Sequence, residues 1–165
     1  MKIDYIRIII DRQILEVYSK NNLIKTYAIS TASKGTGQKY GSFQTPLGKH
    51  KIYEKIGDGE PINSVFIARK PTGEIYTPEL EQQNPERTDW IITRILWLEG
   101  TETGFNRDGD VDSKDRKIYI HGTPDTRPMG SPFSHGCITL HNGPMLELFD
   151  SVDAGTPVDI IDKIK

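Results

Sequence analysis

The residues best suited to chemistry lie in one short stretch of this chain. Cys137, the only cysteine, follows His135 by two residues, and His121 lies upstream of both. Gly122 and Gly136 adjoin these side chains. A thiol is a good nucleophile as its thiolate, and a nearby imidazole is the usual base that forms it near neutral pH. Glycine leaves the sulfur open to a bulky electrophile and frees backbone N–H groups to bind an oxyanion. The pattern predicts a cysteine enzyme that catalyses acyl transfer.

A structural cysteine is the alternative interpretation, because a lone cysteine is more often a small buried hydrophobe than a nucleophile. Here the residues before Cys137 are Ser134-His135-Gly136, which offer little apolar surface to a core. Pro128, Gly130 and Pro132 predict an irregular loop rather than a regular element. An unpaired buried imidazole would cost free energy. The histidines are therefore expected to face a polar cleft.

Metal sites are a second alternative, and the spacing disfavours them. The candidate zinc ligands are His121, His135, Cys137 and His141. Structural zinc sites usually draw ligands from pairs such as Cys-x2-Cys or His-x3-5-His, and His135-x-Cys137 is too tight for one tetrahedral ion. The sequence predicts no metal and no cofactor.

The acidic segment 106–112 resembles a calcium loop only in part. With Gly109 at the sixth position of an EF-hand loop, Asn106, Asp108 and Asp112 take ligand positions. The last position is then Asp115 instead of a bidentate glutamate. A solvated acidic turn is the favoured interpretation.

The patterns along the chain predict one mostly-β domain over residues 1–165 with a few short helices. Short β-branched and aromatic runs separated by turn residues are typical of strands. The predicted strands are 5–10, 13–18, 23–30, 48–56, 65–68, 90–98, 117–121 and 158–161. Two helices are predicted, a short one at 78–83 and a clearer one at 144–150 with Asn142 as its N-cap. The strand 117–121 delivers His121 to its end.

Composition narrows the class of partner and the cellular location. The net charge of −2 is spread over interspersed acids and bases, which favours neither nucleic acid nor an anionic membrane. Lys2, Asp4 and Arg7 bring charge into the first residues, so neither a secretory signal nor a membrane span is expected. If Met1 is the natural start, a cytoplasmic protein is expected. If a leader has been removed, a periplasmic or cell-wall protein is expected.

His121-Gly122 and the later Ser134-His135-Gly136-Cys137-Ile138 together resemble the signature of the L,D-transpeptidase catalytic domain, or YkuD-type domain. The resemblance covers nearly the whole chain. The segments that carry it elsewhere are the opening hairpin 8–18, the strand 27–32, the Thr-Pro-x-Gly turn 45–48 and the closing strand 155–158. It implies a β-rich sandwich or barrel-like fold.

The resemblance also implies a mechanism. Cys137 would attack the carbonyl of the diaminopimelate L-centre in a peptidoglycan stem tetrapeptide and expel the terminal D-alanine. His121 would be the base, oriented by the backbone carbonyl of Gly122. Backbone N–H groups around Gly136 and Cys137 would bind the oxyanion, and Ser134 and His135 would shape the pocket.

One position departs from the family pattern. The family usually has Arg or Asn two residues after the cysteine, whereas this chain has Thr139. A hydroxyl can hydrogen-bond but carries no charge. Substrate contacts are therefore expected from Thr139, Arg127 and Lys49, with Arg127 or Arg94 supplying the missing cation.

The fate of the acyl group stays open at this stage. Transfer to an amine would make an L,D-transpeptidase that acts on peptidoglycan stem peptides. Transfer to water would make an L,D-carboxypeptidase that acts on soluble muropeptides during recycling in the cytoplasm. A non-catalytic module that binds muropeptides or a metal is the remaining alternative. The sequence does not indicate an oligomeric state.

Overall fold

The computed structural model describes residues 2–164, which form ten strands and two α-helices. In chain order they are β1 Tyr5–Ile9, β2 Ile14–Ser19, β3 Asn22–Ala28, β4 Gly48–Ile56, β5 Ser64–Ile67, β6 Lys70–Ile75, α1 Pro78–Gln83, β7 Ile92–Gly100, β8 Tyr119–Gly122, β9 Ile138–Leu140, α2 Asn142–Ser151 and β10 Pro157–Ile161. The predicted mostly-β class with short helices is confirmed. No helix within the described part of the chain is long and apolar enough to cross a membrane.

All ten strands join in one mixed sheet. Its main row has the order β3-β2-β1-β10-β4-β7-β5-β6, and β8 leaves this row by pairing with β7 on one side and β9 on the other. The pairs β1–β10 and β8–β9 are parallel, and the remaining pairs are antiparallel. The branch at β7 places β8 and β9 beside the centre of the sheet.

Two strands were not predicted from the sequence. β6 contains Pro71 and Gly73, which weaken the strand signal, and it lies at the end of the row, where proline is tolerated. β9 is only three residues long. It forms because Ile138 and Leu140 are completely buried and because β8 supplies its parallel partner. Both strands therefore form because of contacts in the folded chain rather than because of a local sequence signal.

Helix α2 covers the sheet beside the candidate site. Met145, Leu148 and Phe149 share one helix face at i, i+3 and i+4 spacing, and all are buried against the main core. This core includes Ile6 and Ile8 of β1, neither of which is exposed. The helix contacts β7 and β8, so it supports the strand that carries His121.

The predicted start of the second helix needs correction. The helix begins at Asn142 with His141 as its N-cap, rather than at Pro144 with Asn142 as the cap. The Asn142 side chain is buried and accepts a hydrogen bond from Thr93, so it is not available as a cap. The carboxylate of Asp125 instead accepts from the Asn142 N–H at 2.9 Å. Helix α1 begins as predicted, with the Thr77 hydroxyl accepting from the Leu80 N–H at 3.0 Å.

The acidic segment before β8 has structural contacts of its own. Asn106 is completely buried, and its amide donates to the carbonyls of Leu47 and Lys49 at 3.2 and 3.0 Å. The Asp112 carboxylate accepts from the backbone N–H groups of Asp108 and Asp115 at 2.7 and 2.9 Å. These contacts tie the turn to β4 and to itself.

The packing of α2 predicts a large stability effect from truncating its buried face. Leu148→Ala should lower the free energy of unfolding by about 2–5 kcal/mol, because the completely buried side chain leaves a cavity. Leu23→Ala is the matched control, since Leu23 is 52% exposed, and it should change stability by less than about 1 kcal/mol. Urea unfolding followed by circular dichroism measures both. Equal losses in the two variants would contradict this packing.

Candidate active site

The parallel pairing of β8 with β9 brings the candidate catalytic residues together. Ile120 is paired with Ile138 and His121 with Thr139. Residues two apart on a strand share a face of the sheet. Cys137, immediately before β9, therefore lies on the same face as His121, beside Tyr119.

His121 is held as a specific neutral tautomer. The residue is 1% exposed, and Nδ1 lies 2.7 Å from the backbone carbonyl oxygen of Gly122. A carbonyl only accepts hydrogen bonds, so Nδ1 carries the proton and Nε2 presents a lone pair. Within residues 2–164, Nε2 is buried and has no hydrogen-bond partner. Burial lowers the pKa of His121, while the negative charge of Asp89 and the Gly122 contact oppose that shift. The ring is suited to accept a proton at Nε2.

The Cys137 thiol rests against the backbone of β8. Its Sγ lies 3.4 Å from the Tyr119 N–H and 3.5 Å from the carbonyl oxygen of Lys117. The side chain packs beside the cluster of Phe66, Ile95 and Tyr119. Burial raises the pKa of the Cys137 thiol to about 12, and the charge of Asp89 adds to this. The resting thiol is therefore protonated at neutral pH.

The loop before the cysteine is fixed from both sides. The Ser134 hydroxyl donates to the carbonyl of Cys137 at 2.6 Å and accepts from the Gly136 N–H at 3.3 Å. The buried Thr45 hydroxyl, from the predicted Thr-Pro-x-Gly turn, donates to the Gly136 carbonyl at 2.9 Å. Gly136 has φ +132, a conformation that favours glycine. These contacts set the direction of the backbone at Cys137.

A cleft opens in front of the histidine. Residues that line it include Asp89, Trp90, His121, Arg127, His135 and Thr139. The His135 side chain is exposed and lies at the rim beside Ser134. The cleft thus contains both predicted orienting side chains and two of the three predicted substrate contacts.

Thr139 lies in the cleft wall, but its hydroxyl is already used. The hydroxyl donates to the Ser30 carbonyl at 2.9 Å, and the two backbones exchange hydrogen bonds at 2.9 and 3.0 Å. Through these bonds Thr139 joins Ser30 to the free edge of β9. This position, where the family usually has Arg or Asn, contributes no charge to the cleft.

The cations predicted to serve the cleft are engaged elsewhere. Arg127 lines the cleft, but its Nη2 donates to Glu81 at 2.7 Å. Arg94 is buried and donates to the carbonyls of Glu60 and Thr93 at 2.8 and 2.6 Å. Both guanidinium groups are therefore already engaged in contacts within the protein.

Lys49 lies outside this cleft. It belongs to β4, opposite Asp159 of β10, and lines a separate groove with Tyr5. The sheet order explains the separation, because β7 lies between β4 and β8 and β10 lies beyond β4. The structure does not bring Lys49 to the histidine.

Two charged residues near the pair were not identified from the sequence. Asp89 is an exposed acid in the cleft wall, immediately before the buried Trp90. Arg116 is half-buried, and its guanidinium donates to the carbonyls of Gly37 and Gln44 at 3.1 and 2.6 Å. Its positive charge lowers the pKa of Cys137 against the larger effect of burial. Neither residue belongs to a local motif, so only the fold reveals its position.

The four candidate zinc ligands do not converge. His141 Nε2 lies 2.6 Å from the Arg127 carbonyl oxygen, while His121 Nδ1 contacts Gly122. Across residues 2–164, no group of three or more His, Cys, Asp or Glu side chains is arranged to hold a metal ion. The geometry matches the chemistry of a cysteine–histidine pair instead.

Fold and site together define a mostly-β domain with a histidine and a cysteine on neighbouring parallel segments. The sequence model of the YkuD family, the L,D-transpeptidase catalytic domain, matches residues 3–160. The chain therefore belongs to the YkuD family of L,D-transpeptidase catalytic domains.

Individual relatives agree with this assignment. The chain is 41% identical over 54 residues to "Putative L,D-transpeptidase YqjB" of Bacillus subtilis, a match that covers 32% of this chain and 31% of that protein. An L,D-transpeptidase structure from Mycobacterium smegmatis superposes with a TM-score of 0.57 at 19% identity, covering 95% of this chain and 58% of that one. The catalytic domain of the E. faecium L,D-transpeptidase acylated by ertapenem gives 0.55 at 20% identity, covering 98% of each chain. The structural matches show a shared fold.

The resting state of the thiol predicts how its reactivity depends on pH. Because the pKa of Cys137 is raised to about 12, the thiolate fraction in the free protein should increase continuously as the pH rises from 6 to 9.5. The iodoacetamide alkylation rate should therefore climb over this whole range, about tenfold per pH unit. Intact mass spectrometry of the single thiol measures the rate. A plateau that begins near pH 6 would instead indicate a preformed thiolate–imidazolium pair.

Proposed function

We propose that this chain is a cysteine-dependent acyltransferase that cleaves the L,D bond of peptidoglycan stem tetrapeptides. The observation that carries the proposal is the 2.7 Å contact of His121 Nδ1 with the Gly122 carbonyl. It leaves the buried Nε2 lone pair free to act as a base, on the same sheet face as Cys137. Membership of the L,D-transpeptidase catalytic domain family supports this reaction.

In the first step the thiol proton moves to His121 Nε2 as sulfur attacks the diaminopimelate L-centre carbonyl. To do so, Cys137 must turn from its resting contacts with Tyr119 and Lys117 toward the cleft. The C–N bond to the terminal D-alanine breaks, and its amine takes the proton from His121. A thioester on Cys137 and free D-alanine result.

Backbone N–H groups around Gly136 and Cys137 are the proposed oxyanion donors. Ser134 supports them because its hydroxyl bonds to both the Gly136 N–H and the Cys137 carbonyl. A donor of this kind is typically worth about 3 kcal/mol in the transition state. The positive φ of Gly136 orients the peptide group that joins it to Cys137.

In the second step an amine or water attacks the thioester, and His121 again relays the proton. Attack by an amine gives a cross-link or exchange of the terminal D-amino acid. Attack by water gives a tripeptide, the product of an L,D-carboxypeptidase. Incubating the protein with a disaccharide tetrapeptide, with and without D-methionine, and measuring the products by mass spectrometry distinguishes these fates.

His121→Ala should reduce D-alanine release by about 10²–10⁴-fold, the usual effect of removing a general base. His135→Ala is the matched control in the same cleft. It should cause less than about a tenfold loss, because its ring is exposed and makes no hydrogen bond within residues 2–164. Steady-state kinetics with the tetrapeptide measures both, after circular dichroism has confirmed folding. A larger loss in His135→Ala would assign the base to the other imidazole.

Carbapenem acylation provides an independent test of the nucleophile. Ertapenem should add one adduct to the protein, and Cys137→Ala should abolish it, because Cys137 is the only thiol. The E. faecium domain of the same fold is described as acylated by this drug. Intact mass before and after treatment measures the adduct. An adduct that persists in Cys137→Ala would place the nucleophile at another residue.

A further inference from the structure

A site that binds only carboxylates is expected to present positive charge to its ligand. This cleft does not. Arg127 lines the cleft, but its guanidinium is paired with Glu81 at 2.7 Å. The Asp89 carboxylate is exposed in the same wall and, within residues 2–164, forms neither an ion pair nor a hydrogen bond. The cleft therefore offers an unpaired negative charge close to His121.

The neighbourhood of Asp89 is fixed. The adjacent Trp90 is only 3% exposed, and its ring packs edge-on against Tyr76 with centroids 5.3 Å apart. The Arg87 guanidinium lies 4.2 Å from the centroid of the same ring and is itself held by Glu74 at 3.1 and 3.2 Å. A carboxylate on such an anchored segment presents its charge at a defined place in the cleft.

The unpaired carboxylate acts on both members of the histidine–cysteine pair. Its negative charge raises the pKa of both Cys137 and His121. On the thiol this charge disfavours loss of the proton in the empty cleft, and on His121 it strengthens the base. A bound cation would cancel this effect.

We propose that Asp89 binds a primary ammonium group of the acyl donor, the free amine on the side chain of its diamino acid. This inference rests on the proposed function and names the substrate class that the site selects. The donor is favoured over the acceptor amine because only the donor is present before the thiol reacts. Neutralisation of Asp89 by the donor lowers the pKa of the thiol before it attacks, whereas an acceptor would arrive after the thiol has reacted.

The test pairs two proteins with two substrates. Asp89→Asn and the control Asp58→Asn remove the same charge, but Asp58 is exposed in a turn outside the cleft. Each variant is assayed with a stem tetrapeptide whose diaminopimelate side-chain amine is free and with one in which that amine is acetylated. The readouts are kcat and KM for D-alanine release and the rate of iodoacetamide alkylation.

Asp89→Asn should lower kcat/KM for the free-amine substrate by about 10- to 100-fold, the range for one charge-assisted hydrogen bond, mostly through KM. The acetylated substrate should be poor with wild type, and the substitution should leave its turnover unchanged or improve it. Alkylation of Cys137 should be unchanged or faster in Asp89→Asn, because a charge that disfavours the thiolate is gone. Asp58→Asn should behave like wild type.

Equal losses on both substrates, or slower alkylation, would overturn the proposal in favour of a structural role for Asp89. A loss confined to the amine-transfer step would assign Asp89 to the acceptor and would also overturn it. Calorimetry on Cys137→Ala and on Cys137→Ala/Asp89→Asn with the free-amine tetrapeptide tests binding without turnover. Ten- to hundredfold weaker binding in the double variant supports the subsite even if wild type releases no D-alanine, which would refute only the proposed function. Equal affinity, or no binding to either, overturns the subsite.

Discussion

The candidate site depends on the parallel pairing of β8 with β9. Parallel strands need a long connection between them, and here the connecting residues form the cleft wall that contains Arg127, Ser134 and His135. The pairing places His121 opposite Thr139 and the thiol beside Tyr119. A shift of one residue in this register would move the cysteine to the other face of the sheet, away from the imidazole. The fold therefore specifies the register strongly, with Ile120 and Ile138 both completely buried on the opposite face.

The rest of the sheet holds this pair in place. β7 lies at the branch of the sheet and pairs with β4, β5 and β8, so it connects the site to the main core. Helix α2 packs over β7 and β8 and buries Leu148 and Phe149 there. On the other side, Thr45 and Ser30 bond to the backbone of Gly136 and Thr139. The thiol loop is thus supported by segments from distant parts of the chain.

Electrostatics sets the resting state of the site. Burial favours the neutral forms of both His121 and Cys137, as their pKa shifts in opposite directions show. Arg116 and Asp89 act on the thiol with opposite signs, and Arg116 is tied to the loop through the Gln44 carbonyl. Both groups are therefore neutral in the resting site.

The sequence by itself determined the strands with strong β-branched patterns, the short helix that begins at Pro78, and the cysteine–histidine motif, because these signals are local. The tertiary structure decided the rest. β9 is too short to be recognised without its partner, and α2 begins earlier than predicted because Asn142 is used in contacts with Thr93 and Asp125. The charge of the cleft is also a tertiary property: Glu81 neutralises Arg127, and strand order carries Lys49 to another groove. Asp89 belongs to no motif, and its importance comes from a position in space. Composition shows which charges a chain has, but only the pairing of distant segments determines which of them face a ligand.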